Sequence, residues 1–549
     1  MKPLLLLKTA LSLALVCQTA PAAQTIATDI CVFGGTSAGV IAAVQATKMG
    51  KTAVVVEPGR HLGGLSSGGL GWTDIGNKAA IGGLSREFYR QLGRHYGKEE
   101  AWTFEPGVAE REFSRLLHEA KVPVHFAKRL AVVKKDGPRI TEITAEDGTV
   151  FQAKMFIDAT YEGDLMAKAG VAYHVGREAN ATYGETLNGI RERTPKHQFE
   201  VPVDPYVRPG DPASGVLPFV QATEFGEAGA GDASVQAYNF RLCLTKNPTN
   251  RLPIDAPTGY DPAKYELLGR YFDALAAAGK KATLKSFLKI DMVTPEKTDI
   301  NNQGGFSTDF IGLNHAYPDA DYATRDRLRA QHLDYIRGLL TYFATSPRVP
   351  AELRAEMQQW GLCRDEFTDT GGWPHQMYVR EARRMISDYV MSEKNCRRVE
   401  AVPDSVGLAA YNMDSHNCRR LVRNGRVENE GDVQVAPMSP YAISYRAIVP
   451  RAAQCENLLV PVCLAASHIA YGSIRMEPVF MILGQSAATA AAAALDESVA
   501  VQQVNYPRLR ARLLADGQRL DWTPATPATK KAAPKATPPA RKITSSGTD

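Results

Sequence analysis

Hydrophobic and polar positions fall into three regimes along the chain. From Ile30 to Val56 the apolar runs are short and unbroken: Ile30–Phe33, a helical spacing from Ser37 to about Met49, then the β-branched run Thr52–Val56. Such runs suit strands buried on both faces, and their order predicts a parallel βαβ unit. Further on, Ser85–Tyr96 and Glu110–Ala120 have helical spacing, and Val122–Phe126, Ala131–Val133, Ile140–Ala145 and Val150–Asp158 read as strands. Tyr161 to Asp164 then opens another helix. The second regime, roughly 201–435, alternates Pro- and Asp-rich loops (Val201–Pro218, Asn247–Pro262) with the amphipathic stretches Arg325–Phe343 and Tyr378–Ser392, both expected to be helical. The third returns to strand-like runs at Ile443–Val449 and Leu458–Val462, followed by a helix from near Pro478 with Glu477 at its start. Gln485, Ser486 and Thr489 in that helix argue against a membrane span.

The ends of the chain read differently. Lys2 and Lys8 precede or flank a short apolar stretch, and Ala20-Pro21-Ala22 is an A-x-A cleavage pattern, so residues 1–22 are expected to be a Sec signal peptide and the protein periplasmic or secreted. Residues 523–549 are Pro, Ala, Thr and Lys without an apolar face and are expected to be disordered. Leader and tail together account for the whole net charge of +5, so the body is close to neutral and offers no basic surface for nucleic acid. Beyond the leader seven cysteines remain, an odd number. Cys31 reads as a buried thiol, Cys396–Cys418 or Cys455–Cys463 as possible disulfides, and no C-x-x-C spacing occurs.

The first regime carries chemistry. Gly34, Gly35 and Gly39 surround a turn between strand and helix, where Thr36, Ser37 and Ala38 would meet a pyrophosphate at the helix N-terminus. Thr36 stands where the G-x-G-x-x-G pattern has its middle glycine and would crowd that approach, although its hydroxyl can donate to phosphate. Glu57, ending the second strand, is placed to accept from an adenosine ribose, with Pro58 beside it. Nine of the residues from Gly59 to Gly83 are glycine, including Gly63-Gly64, which suits a backbone lying along a flat ligand. That second loop favours FAD over NAD. Asp158-Ala159 repeats the strand ending expected beside a dinucleotide, and Gly484 allows close packing of the last helix. His61 is a conceivable covalent attachment point, noncovalent binding being the ordinary alternative.

The segments GGTSAG, HLGGLSSGGLGWTDIG, DATYEGDLMAKAGV, NNQGGFSTDFIG, WPHQMYVREARRM, YNMDSH and ASHIAYGSIRMEPVFMILGQSAATAA resemble a bacterial FAD-dependent oxidoreductase family, over residues 29 to 500. Its exported members often carry the label xanthan lyase. The resemblance implies an α/β, FAD-binding Rossmann-type fold of the glutathione-reductase and fumarate-reductase kind, a parallel sheet with an inserted α+β substrate domain. Its parts would be 29–200, the insertion 201–435, and a return at 436–500, with the final helix pointing at the flavin ring. A threonine at the Thr36 position is usual in this family. Distant heterodisulfide-reductase-like members carry iron–sulfur cysteines that have no counterpart here.

Oxidising an alcohol with a flavin needs a proton acceptor, a group that stabilises negative charge at the flavin, and polar groups holding the substrate. His468 or Tyr471 is a candidate base and Arg475 a candidate partner for reduced flavin, unless Arg475 pairs with a carboxylate and His468 is a structural histidine. Asp414 and His416 are spaced as an acid/base pair or as core polar groups, and two such residues make no metal site. Asn301, Asn302, Gln303 and Asp309 suit sugar hydroxyls, and Trp373, His375, Tyr378 and Arg380 could form an aromatic and basic wall. The expected function is oxidation of a carbohydrate or related small molecule, with an unidentified electron acceptor. A polysaccharide lyase and a non-catalytic glycan-binding protein are the alternatives.

Overall fold

The computed structural model describes residues 24–523. The expected leader, and the tail from residue 524, lie outside them.

A seven-stranded sheet organises the fold. Its strands are β1 (Thr25–Phe33), β2 (Ala53–Val56), β3 (Val124–His125), β4 (Leu130–Asp136), β5 (Arg139–Ala145), β6 (Val150–Asp158) and β7 (Leu458–Leu459). They run in the order β3-β2-β1-β6-β5-β4, with β7 also on β6. The pairings among β3, β2, β1, β6 and β7 are parallel, whereas β4 and β5 form an antiparallel flap. Ile30–Phe33 are fully buried, as an unbroken apolar run on a doubly covered strand must be. Because β1 aligns Phe33 with Val56 and Asp158, the carboxyl ends of the three central strands open at one edge, where parallel sheets receive ligands.

Helices α1 (Ser37–Lys48), α2 (Gly83–His95) and α3 (Pro106–Glu119) follow from the first part of the chain. The third begins a turn before its apolar spacing does, because Pro106 supplies a first-turn start. The longest helix, α4 (Tyr322–Thr345), lies in the middle of the chain, and α5 (Glu477–Glu497) closes the site. By length and composition α5 could cross a membrane, but 89% of its apolar window is buried inside the protein, where it packs on α1.

Three expectations are corrected. Tyr378–Ser392 is no helix: the segment is irregular, with only Arg384–Met385 pairing as a strand against Tyr173–His174. Its polar positions mimicked a solvated helix face, yet Arg380, Glu381, Arg383 and Arg384 are all buried in ion pairs. The run Ile443–Val449 divides into the strand Tyr441–Ser444 and a single 3-10 turn, Tyr445–Ala447. All seven described cysteines are free and buried, so neither Cys396–Cys418 nor Cys455–Cys463 is a disulfide. The thiols that meet are Cys243 and Cys363, whose Sγ atoms lie 3.6 Å apart beside the paired strands Leu244–Thr245 and Gly361–Cys363.

Candidate active site

The glycine turn is fixed by close approaches. Gly34 has φ +101°, and a Cβ there would lie 2.9 Å from the Ala159 carbonyl carbon. A Cβ on Gly39 would lie 1.9 Å from the Gly34 oxygen. Thr36 does not obstruct the turn: its hydroxyl donates to the Ala159 carbonyl (2.7 Å) and accepts from the Gly39 amide (3.3 Å), capping α1 from below. The Val40 amide bonds to Thr36, so the amides of Ser37 and Ala38 open the helix without an intrahelical acceptor. Two free N–H groups at a helix N-terminus are what a pyrophosphate needs.

Glu57 stands at the next strand end. One carboxylate oxygen accepts from the Gly35 amide at 2.6 Å and the other from the Gly59 amide at 2.5 Å. Burial nonetheless pushes its carboxyl up to about 7. The glycine loop then runs back, with the Gly63 amide donating to Gly35 at 2.7 Å. Gly64 has φ +55°, and a Cβ there would strike the Tyr161 hydroxyl at 2.2 Å. That hydroxyl accepts from the Leu65 amide and donates to Glu477 at 2.6 Å. Ser37 and Ser66 also donate to Glu477, at 2.5 and 3.1 Å. One buried carboxylate therefore ties the start of α1, the glycine loop and the segment after β6 to the start of α5; burial raises its pKa.

A cleft opens over these strand ends. Gly34, Thr36, Glu57, Pro58, His61 and Gly64 line it. So do Arg129, after β3, and Arg325 and Arg329 of α4, which sequence reasoning missed because nothing local distinguishes them from surface arginines. The Glu57 acceptor and the Arg329 guanidinium fit the ribose and phosphates of FAD. Arg325 is held by Asp164 and Arg129 by Asp326, and Ser37 and Ala38 are fully buried at the start of α1. Asp158 and Ala159 act from beneath: Asp158 accepts from Thr160 and from the Met166 amide, and the Ala159 carbonyl holds Thr36. Gly484 packs α5 on Ala38 rather than lining the cleft.

His61 is held on both nitrogens, by Glu110 (2.9 Å) and Asp369 (3.1 Å), and Glu110 foremost raises its pKa. An imidazole so engaged has no free lone pair for covalent attachment to a flavin. His375 stacks on it at 3.7 Å, with rings within 4° of parallel. The pair and Glu110 are near enough for a metal, but both His61 nitrogens are already taken by Glu110 and Asp369.

A second, polar pocket lies beyond. Its lining includes Asn301, Asn302, Gln303, Tyr411, Asn412, Asp414 and His416 from the sequence reading, joined by Tyr378. His416 Nδ1 lies 2.8 Å from Asp309, which also pairs with Arg380. Burial would raise Asp309, but Arg380 and His416 outweigh it and hold the carboxyl below its usual range. Burial, helped by Arg380, drives His416 well below 6.5, so the imidazole is neutral. Its Nε2 is 3.7 Å from Asp414, whose carboxyl burial pushes up to about 6. Arg475 donates to the Tyr378 hydroxyl (2.6 Å) and to the Asp414 carbonyl (3.0 Å) and pairs with the Asp414 carboxylate (3.4 Å) rather than with Glu477, so it meets the carboxylate alternative.

His468 and Tyr471 are not among the residues of this pocket. His468 is 2% exposed, with Glu381 on Nδ1 and Ser415 on Nε2. Tyr471 is equally buried. The wall expected from Trp373, His375, Tyr378 and Arg380 does not form: His375 lines the cofactor cleft, Tyr378 the polar pocket, and Arg380 is buried beside Tyr378. The pocket also contains His197, Asp74, Lys289 and Gln434, which carried no signal in the sequence.

Comparison with known proteins adds the following. A flavin monooxygenase mutant from Stenotrophomonas maltophilia aligns at 18% identity and a TM-score of 0.18, over 28% of this chain and 41% of its own. The 3-ketosteroid-Δ4-(5α)-dehydrogenase from Rhodococcus jostii RHA1 aligns at 14% and 0.20, over 27% and 50%. Thioredoxin reductase from T. acidophilum aligns at 17% and 0.18, over 29% and 40%. The chain thus spans half or less of the length of these structures. No curated protein matches. The family model described as FAD dependent oxidoreductase matches residues 29–513, nearly the whole described chain, and the protein therefore belongs to the FAD-dependent oxidoreductase family.

Proposed function

We propose that this oxidoreductase is exported and oxidises a hydroxyl group of a carbohydrate or related polyol. The observation that carries the reading is the buried Asp309–His416 pair opening into a pocket of amides, hydroxyls and carboxylates. FAD supplies a two-electron acceptor for hydride when bound. The chain's part is to hold the substrate and manage the proton. Asp309, ionised, keeps the His416 proton on Nδ1 and leaves Nε2 as the acceptor facing the pocket. Asn301, Asn302 and Gln303 offer amides to sugar hydroxyls, and Asp74 offers a carboxylate.

The same lining speaks against the lyase alternative. Elimination from a uronate needs the substrate carboxylate neutralised, and carboxylates in the lining work against that. Asp74 and Asp414 face this pocket, and its one lysine, Lys289, is paired with Asp291 at 3.1 Å. The leader pattern at Ala20-Pro21-Ala22 supports export. The test is anaerobic: purified holoprotein is mixed with a panel of sugars and polyols, and loss of the yellow flavin absorbance is followed. A member of the panel should bleach it. Cleavage of uronate polymers by cofactor-free protein, with no bleaching, would replace this reading by the lyase.

A further inference from the structure

His197 and His416 line the same pocket with their rings 6.5 Å apart and within 10° of parallel. Their hydrogen bonds fix opposite tautomers. The Gly304 amide donates to His197 Nδ1 at 3.2 Å, and an amide can only donate. His197 Nδ1 is therefore a lone pair, and the neutral ring carries its proton on Nε2. His416 is the reverse, since ionised Asp309 can only accept and so takes the proton on Nδ1. Both rings line one pocket, in which His197 therefore offers a donor and His416 an acceptor.

The backbone enforces this placement. His197 has φ +48°, a left-handed conformation that a residue with a Cβ rarely adopts. Asn417 and Asn429 hold its carbonyl at 3.3 and 2.8 Å. Strain fixed by two side-chain amides, at a residue facing a pocket, is the pattern of a preset group.

We propose that His197 and His416 are a complementary catalytic pair, His197 Nε2–H donating to the substrate oxygen whose proton passes to His416 Nε2. The inference rests on the alcohol-oxidising reading above and sharpens its substrate class. An oxygen held between that donor and that acceptor must itself both accept and donate. A neutral hydroxyl does so, a carboxylate has no proton for His416, and an ammonium has no lone pair for His197. In the step, the O–H bond breaks and its proton goes to His416. Completing the oxidation to the carbonyl also needs an acceptor for the carbinol hydride as the C–O π bond forms, the two-electron chemistry that FAD would supply when bound. The charged and titratable groups around His416 are Asp309, Asp414, Arg380, Arg475 and His197 itself.

The test uses full-length FAD-loaded protein and a polyol that bleaches it. His416→Gln should slow flavin reduction by ~10²–10⁴-fold, with partial rescue by added imidazole. His197→Leu should lower kcat/KM by ~10–100-fold, and His197→Gln, which restores a donor, should recover most of that loss. Nitrogen-15 histidine spectra of the holoprotein should show one ring protonated on Nε2 and lost in His197→Gln, and one protonated on Nδ1 and lost in His416→Gln. Wild-type rates in both variants, or the same tautomer at both positions, would overturn the pair while leaving alcohol oxidation standing. Equal losses in His197→Leu and His197→Gln, with lowered Tm, would make His197 structural and also overturn it. Failure of every polyol to bleach the wild type would overturn the alcohol reading and the pair with it.

Discussion

Gly484 of α5 lies so close to Ala38 of α1 that a Cβ on the glycine would sit 2.2 Å from the Ala38 carbonyl oxygen. The contact is backbone, so no side chain can move aside. Gly484→Val should force the helices apart and destabilise the protein by ~1–3 kcal/mol or more. It should also loosen FAD, because Ser37 next to Ala38 would part from Glu477. Thermal unfolding and the flavin content of the purified protein would show both effects, and a normal flavin load would disprove the second.

Glu477 collects three hydroxyl donors. Glu477→Ala leaves Ser37, Ser66 and Tyr161 buried without that acceptor, and each stranded group costs ~1–3 kcal/mol. Glu477→Gln keeps one acceptor oxygen and should fall between Ala and wild type in Tm. Calorimetry of the three proteins without cofactor tests the ranking.

Glu57 gives a proton signature. Its carboxyl is raised by burial to about 7, so in cofactor-free protein it holds a proton below that pH. The stability linked to this proton is complete below the ordinary 4.5 and is lost as pH rises through about 7. Ribose hydroxyls donate best to an ionised carboxylate. FAD binding at pH 6 should therefore release protons that binding at pH 8 does not. Titration calorimetry in buffers of different ionisation enthalpy would detect the difference, and identical results at both pH values would refute it.

Asp232 and Glu178 set acid stability. Burial would raise both, but Arg177 holds Asp232 at about 2 and Arg384 holds Glu178 at about 2. Depressed carboxyls contribute above their ordinary range and lose that contribution as pH falls from about 4.5 toward 2. Arg177→Met, which leaves Asp232 and Glu430 only the Arg419 guanidinium, should cost ~3–5 kcal/mol at neutral pH and flatten part of the acid transition. Urea unfolding at pH 7 and pH 4 would measure both.

All seven described thiols should react with a thiol reagent in denatured protein that has never been reduced. Under mild oxidant, the first pair to disappear should be Cys243 and Cys363. Peptide mapping that finds Cys396–Cys418 instead would contradict the structure.

The parts legible in the sequence are those whose partners are near in the chain. Ile30–Val56 reads correctly because strand, turn and helix declare themselves by local period and glycine. The YNMDSH cluster was visible as polar residues crowded together, but its partner Asp309 is 107 residues away. His197 gave no sign at all. Its placement comes from a backbone amide at Gly304 and a left-handed φ, neither of which leaves a mark on composition. Tyr378–Ser392 misled for the converse reason. Polar periodicity reports solvent only when charges face solvent, and here Arg383 and Arg384 face buried carboxylates.

The bond from Ser37 to Glu477 joins positions 440 residues apart. A ribosome delivers the glycine turn long before its carboxylate. A growing chain therefore displays half a cradle until α5 has been made, and the complete cradle waits for that helix.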